Sequence, residues 1–189
     1  KNSLRDFCIE MSKRAIVLVD EAYYEYVNNP DFESMKSLVT EHKNIIVCRT
    51  ASKIHGFAGV RMGFAFAHPE TMRLITGPFN LSLSNVAVAG AVESYQDTEY
   101  QTFIKQKNRE SMDILEKMFK DLNYEYIKSN SNFAFFNAGR PSTEVATALK
   151  KHGIISGRPF PPFTNWVRMS TVKPEEMQYV VDAYRKEFG

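Results

Sequence analysis

Two short aliphatic runs, AIVLV at 15–19 and IIVC at 45–48, constrain this chain more than any other feature. Neither alternates apolar with polar, so each reads as a strand covered on both faces, the pattern of a parallel sheet. Parallel neighbours need a crossover rather than a tight turn. The segment ESMKSLVTEH at 33–42 fits a crossover helix and completes one βαβ unit. FAFA (64–67) supplies a further strand, and HPETMRLI (68–75) opens a helix with Pro69 in its first turn.

Next, SNVAVAGAVESYQ (84–96) is small and apolar and suits a tightly packed helix. A long helical pattern runs from Glu99 to Leu122, with a polar first half (KQKNRE, 105–110), so it is expected to bury only part of its length. The final third changes rhythm. YEYI (124–127), NFAFFN (132–137) and WVRMS (166–170) read as strands, with helices over 143–151, closed by Gly153, and over 174–188, opened by Pro174. The expected fold class is α/β: a mostly parallel sheet with helices over 1–98, joined by the long helix to a smaller α+β domain over 99–189.

Bulk properties exclude several function classes. Twenty-four Lys+Arg against 22 Asp+Glu leave a net charge of +2, and no basic cluster stands out, which argues against nucleic-acid or membrane partners. The longest aliphatic run, AIVLV, is far short of a membrane span. Cys8 and Cys48 sit in apolar surroundings and read as buried free thiols of a reducing, cytoplasmic compartment. The chain opens on Lys1 rather than Met, so the absence of a targeting segment carries little weight. His42, His55, His68 and His152 show no metal-ligand spacing.

The chemistry gathers around TASKIHGFAGVRMG (50–63), which places Lys53 and Arg61 among small residues. In open α/β sheets ligands collect at the carboxyl ends of parallel strands. The first run ends in Asp20, with Tyr23 three residues on; the second leads through Thr50 and Ser52 into Lys53. If FAFA returns antiparallel, Arg61 comes back to the same edge. Singly, each of these residues is most simply a cap, a packed ring or a solvated charge. Together, an acid, a phenol, an amine and a guanidinium match the needs of pyridoxal phosphate. Its aldehyde takes a lysine amine as a Schiff base, its ring nitrogen needs a carboxylate, its ring oxygen a donor, and its phosphate an arginine with hydroxyls. His55, two residues beyond Lys53, reads as a packing residue rather than a cofactor contact.

VDEAYYEY (19–26) followed by TASKIHGFAGVRMG (50–63) resembles the paired signature of class I/II, fold-type I aminotransferases, and is most similar to the histidinol-phosphate aminotransferase branch. The pattern D-E-A-Y, S-K and A-G-x-R-x-G is met residue by residue. The resemblance implies Lys53 as the Schiff-base lysine and as the base that moves a proton between substrate and cofactor. It implies Asp20 on the pyridine nitrogen, Tyr23 on the ring oxygen, and Ser52 with Arg61 on the phosphate. It continues through NSNFAFF (130–136), GIISGR (153–158) and WVRMS (166–170). Arg168 then matches the arginine that holds the substrate α-carboxylate, and Arg158 a second arginine that grips a far phosphate. GIISGR carries one extra residue before its arginine and is followed by PFPPF, and VKPEE (172–176) stands where the family more often has Gly-Thr, leaving the last helix without its usual cap.

The implied activity is transfer of an amino group from an amino acid, or a phosphorylated amino alcohol, to a 2-oxo acid, by an enzyme that is a homodimer at full length. The resemblance covers the later half of a family member: the N-P-x-N-P-T-G turn, the ring-stacking aromatic and the early phosphate-cradling helix are absent. The expectation is a fragment, inactive or weakly active alone. Two alternatives stay open: a pyridoxal-phosphate decarboxylase of a phosphorylated amino acid, or a non-catalytic domain descended from the enzyme.

Overall fold

A computed structural model of the chain describes residues 2–77 and 82–189. It divides into two compact units, Lys1–Gln101 and Thr102–Gly189.

The first unit is built on the two aliphatic runs. Strands β1 (Val17–Asp20) and β2 (Ile45–Thr50) pair in parallel, with Val17 opposite Ile45 and Asp20 opposite Cys48. Strand β3 (Gly63–Ala67) returns antiparallel beside β2, with Gly63 opposite Thr50, so the sheet order is β1-β2-β3. The carboxyl ends of β1 and β2 and the start of β3 therefore share one edge. Helices α1 (Asn2–Ser12), α2 (Pro69–Thr76) and α3 (Asn85–Gln96) complete the unit. Sequence reasoning gave no element to α1, although Leu4, Phe7, Cys8 and Met11 carry helical spacing.

The crossover differs from the expected helix over 33–42. It contains two 3-10 turns, Tyr24–Tyr26 and Met35–Leu38. The second starts where Ser34 caps the Lys36 N–H and Glu21 accepts the Met35 N–H. Beyond it the chain winds on only as turns, with the Leu38 carbonyl accepting the Glu41 and His42 N–H groups at 3.2 and 3.0 Å. The periodic apolar positions are still buried: Met35, Leu38 and Val39 pack with Cys8, Ile45 and Val47 in one cluster.

That cluster covers a single face of the sheet. Val17 and Val19 face it, whereas Leu18 on the opposite face is 62% exposed, so within the described residues β1 is not covered on both sides as expected. Helix α3 is also less enclosed than its composition suggests. Ala87 and Ala91 pack on Ala51 and Met62, while Val86 is 83% exposed. Gly90 lets the Phe57 ring approach, since a Cβ there would lie 3.2 Å from it.

In the second unit, β4 (Tyr126–Ile127), β5 (Phe133–Asn137) and β6 (Trp166–Ser170) form an antiparallel sheet in that order. Helices α4 (Thr98–Asp121, which begins in the first unit), α5 (Ser142–Lys150) and α6 (Pro174–Phe188) supply the helical layer. Leu115, Phe119, Phe136, Val167, Leu149 and Tyr184 belong to one buried cluster. The buried residues of α4 all lie from Ser111 onward, as its polar first half predicts. Lys173 makes no side-chain cap for α6, in line with VKPEE. Among the described residues no helix is long and apolar enough to cross a membrane.

Candidate functional site

The edge where β1 and β2 end and β3 begins carries the five residues singled out in the first unit. Asp20 closes β1, and its Oδ1 accepts the Ala22 N–H at 3.0 Å, which fixes the carboxylate plane. Tyr23 follows in the next turn. Lys53 lies in the turn after β2, with its Nζ 5.0 Å from the centre of the Tyr23 ring. Ser52 Oγ stands 2.8 Å from Thr50 Oγ1, and the Ser52 N–H donates to the same threonine oxygen at 3.1 Å. Asp20 is close enough to Cys48 that, with burial as the larger cause, it raises the cysteine's pKa. Cys48 is a free, half-buried thiol rather than a fully buried one.

Arg61 sits two residues before β3 and is exposed, its Nη1 donating to the Ala58 carbonyl at 2.7 Å. Its φ is +62°, in the left-handed region that L side chains with a Cβ avoid. Glycine would sit there without strain. Such backbone strain is of the kind that collects at functional sites.

His55 does not face this edge. Its ring lies 3.8 Å from that of Tyr95, Nδ1 is 2.8 Å from Ser94 Oγ, and it is 3% exposed. Burial lowers its pKa. The same burial, as the largest cause, pushes Tyr95 up to about 12.

Sequence reasoning missed the ion pair behind the edge. Arg49 Nε and Nη2 both donate to Glu21 Oε2, at 3.0 and 2.9 Å, with side chains only 13% and 4% exposed. Glu21 Oε1 accepts the Met35 N–H at 2.8 Å, Ser34 Oγ donates to the same carboxylate, and the Arg49 guanidinium lies 3.5 Å from the Tyr24 ring centre. The signal lay in the alternation: Arg49 shares a face with Ile45 and Val47, and Glu21 with Val17 and Val19, so both charges turn toward the buried cluster and need partners.

In the second unit, Arg168 on β6 stands opposite Phe135 on β5, with its guanidinium 4.0 Å from the Phe133 ring centre. Ile127, Ser129, Phe133, Phe135, Phe160 and Arg168 line a cleft of about 370 Å³. Arg158 stacks at its margin, 5.1 Å from the Phe160 ring centre. Gly157 makes that approach possible: a Cβ there would lie 3.1 Å from the Arg168 carbonyl oxygen. The structure thus brings Arg158 and Arg168 onto one aromatic wall. The aromatic residues were read only as strand formers, although Phe133 and Phe135 alternate toward one face.

Comparisons with known proteins follow this geometry. A family model described as aminotransferase class I and II matches residues 4–183. A histidinol-phosphate aminotransferase of Symbiobacterium thermophilum is 34% identical over 92% of this chain and 48% of its own length. A solved structure from Erwinia carotovora atroseptica, assigned as a histidinol-phosphate aminotransferase, aligns with a TM-score of 0.86 at 38% identity, over 89% of this chain and 49% of that one. The histidinol-phosphate aminotransferase of Sinorhizobium meliloti, solved with pyridoxal-5'-phosphate, shares the fold with a TM-score of 0.85 at 24% identity, over 98% of this chain and 53% of that one. The chain spans about half the length of the relatives it matches. Matched from residue 4 to residue 183, it belongs to the class I and II aminotransferase family.

Proposed function

We propose that these residues hold pyridoxal phosphate and an amino donor in a transaminase that passes the amino group to a 2-oxo acid. The observation that carries the reading is the placing of Lys53 Nζ 5.0 Å from the Tyr23 ring centre, on the strand edge where Asp20, Ser52 and Arg61 also stand. The donor set fits the group: an amine, a phenol, an oriented carboxylate, a hydroxyl and a guanidinium, each matching one of its functional groups. Bound there, pyridoxal phosphate supplies an aldehyde and a ring that draws electrons from the substrate Cα.

The chain's own residues do the rest. Lys53 would hold the cofactor through its amine and would be the group that takes up and returns the proton at the substrate Cα. Asp20 would hold the proton of the ring nitrogen. Tyr23 donates to the ring oxygen, and Ser52 and Arg61 hold the phosphate. Arg168 grips the donor's α-carboxylate, while Arg158 holds a second anionic group. The aromatic wall between them receives the donor's apolar or ring portion. The donor is an amino acid or a phosphorylated amino alcohol of histidinol-phosphate type, and the full-length protein works as a homodimer.

Product analysis tests the reading. A keto acid or aldehyde formed in step with amination of the added 2-oxo acid supports transamination. Carbon dioxide released with the amine retained on the product selects decarboxylation on the same scaffold and refutes it.

A further inference from the structure

Three of the five edge residues, Tyr23, Ser52 and Lys53, lie in two turns, one after β1 and one after β2, and Asp20 closes β1. The backbone ladder between these strands ends at the bond from the Glu21 N–H to the Cys48 carbonyl, at 2.8 Å. Beyond that bond lie Tyr23 on one side and Ser52 and Lys53 on the other. Glu21 directly follows Asp20, and Arg49 stands three residues before Ser52.

We propose that the Glu21–Arg49 ion pair is a positioning clamp, which holds the end of β1 and the turn bearing Tyr23 in register with the turn bearing Ser52 and Lys53. The proposal rests on the pyridoxal-phosphate reading above. Neither residue touches the cofactor in this account; both act through their neighbours. Stability alone does not call for such a pair, because apolar residues of similar volume serve a core as well or better. What the pair provides is direction. Glu21 is fixed from three sides, by two Arg49 donors, by Ser34 Oγ and by the Met35 N–H. Arg49 is fixed by Glu21, by Ser34 Oγ at 3.0 Å and by the Tyr24 ring. These bonds tie the residue next to Asp20 to β2 three residues before Ser52, so the two turns are joined through side chains as well as through the backbone ladder. Sites that act on one bound molecule need such supporting residues, since displacements of about 1 Å are costly.

Glu21→Gln keeps the shape and removes the charge; Arg49→Lys keeps the charge and removes the fork. Both are compared with the wild-type chain, first without cofactor, by amide exchange at three buried sites. Tyr26 donates to Tyr23 O and reports the first turn, Ala51 donates to Met62 O and reports the second, and Val47 reports mid-sheet. In both variants exchange at Tyr26 and Ala51 is expected to rise at least about tenfold relative to Val47. Pyridoxal phosphate is then titrated by absorbance. Its affinity is expected to fall about tenfold or more in Glu21→Gln, less in Arg49→Lys, with the pH midpoint of its band displaced. Equal acceleration at all three amides, or wild-type affinity and midpoint in both variants, overturns the clamp. If the wild type takes up no pyridoxal phosphate, the functional reading fails and the exchange comparison alone decides the clamp.

Discussion

Arg61 offers a perturbation in which stability and binding move apart. Its φ of +62° costs a residue with a Cβ about 1–2 kcal/mol relative to the right-handed region. Glycine escapes that cost but gives back about 0.5–1 kcal/mol in unfolded-chain entropy. Arg61→Gly is therefore expected to be more stable than Arg61→Ala by about 1 kcal/mol, or about 2–4 °C in thermal midpoint for a chain of this size. Both variants lose the guanidinium. If that group holds the cofactor phosphate, both lose a charge-assisted bond of about 1.5–3 kcal/mol, which is about 10- to 150-fold in pyridoxal-phosphate affinity. Thermal melts and an absorbance titration on the two variants read both effects. Equal melting points would refute the strain argument. Undiminished affinity in Arg61→Gly would refute the phosphate role.

Other consequences follow from the same geometry. Burial lowers the His55 pKa from 6.5, so as pH falls the unfolded chain takes up the proton first. Stability tied to the neutral ring is complete above pH 6.5 and drains away below it, and His55→Phe is expected to flatten urea-unfolding stability between pH 7 and pH 5 relative to wild type. Arg168→Lys removes the planar fork, and a rise of about tenfold or more in donor KM is expected, read by steady-state kinetics of the full-length protein with a carboxylated donor. Gly157→Ala drives a Cβ to 3.1 Å from the Arg168 carbonyl oxygen, tighter than ordinary contact. It is expected to weaken donor binding with little change in pyridoxal-phosphate affinity, measured by titrating each separately.

Much of the edge was legible because strand topology dictates where strand ends go. Two uninterrupted aliphatic runs pointed to parallel neighbours, and an antiparallel return of FAFA put Arg61 at the same sheet edge as Asp20 and Lys53. The second unit was legible for the same reason, with NFAFFN and WVRMS pairing as β5 and β6. What periodicity could not distinguish was the crossover. Met35, Leu38 and Val39 are buried as a helix would bury them, yet the segment is started by a Ser34 cap and a tether to Glu21 and runs as one 3-10 turn followed by further turns. Nor did the pattern separate Glu21 from its motif neighbours. Asp20 faces the edge and Glu21 faces inward, a difference that strand alternation implies but that becomes visible only when Arg49 is found opposite. Likewise, Arg158 and Arg168 read as two separate positions until Gly157 is seen packed on the Arg168 backbone.

The most direct test of the central claim is an absorbance titration of pyridoxal phosphate into this chain and into Lys53→Ala. The account predicts a saturable band near the visible edge in the wild type that disappears in the variant. A band of equal size in Lys53→Ala, or none in the wild type, would contradict it.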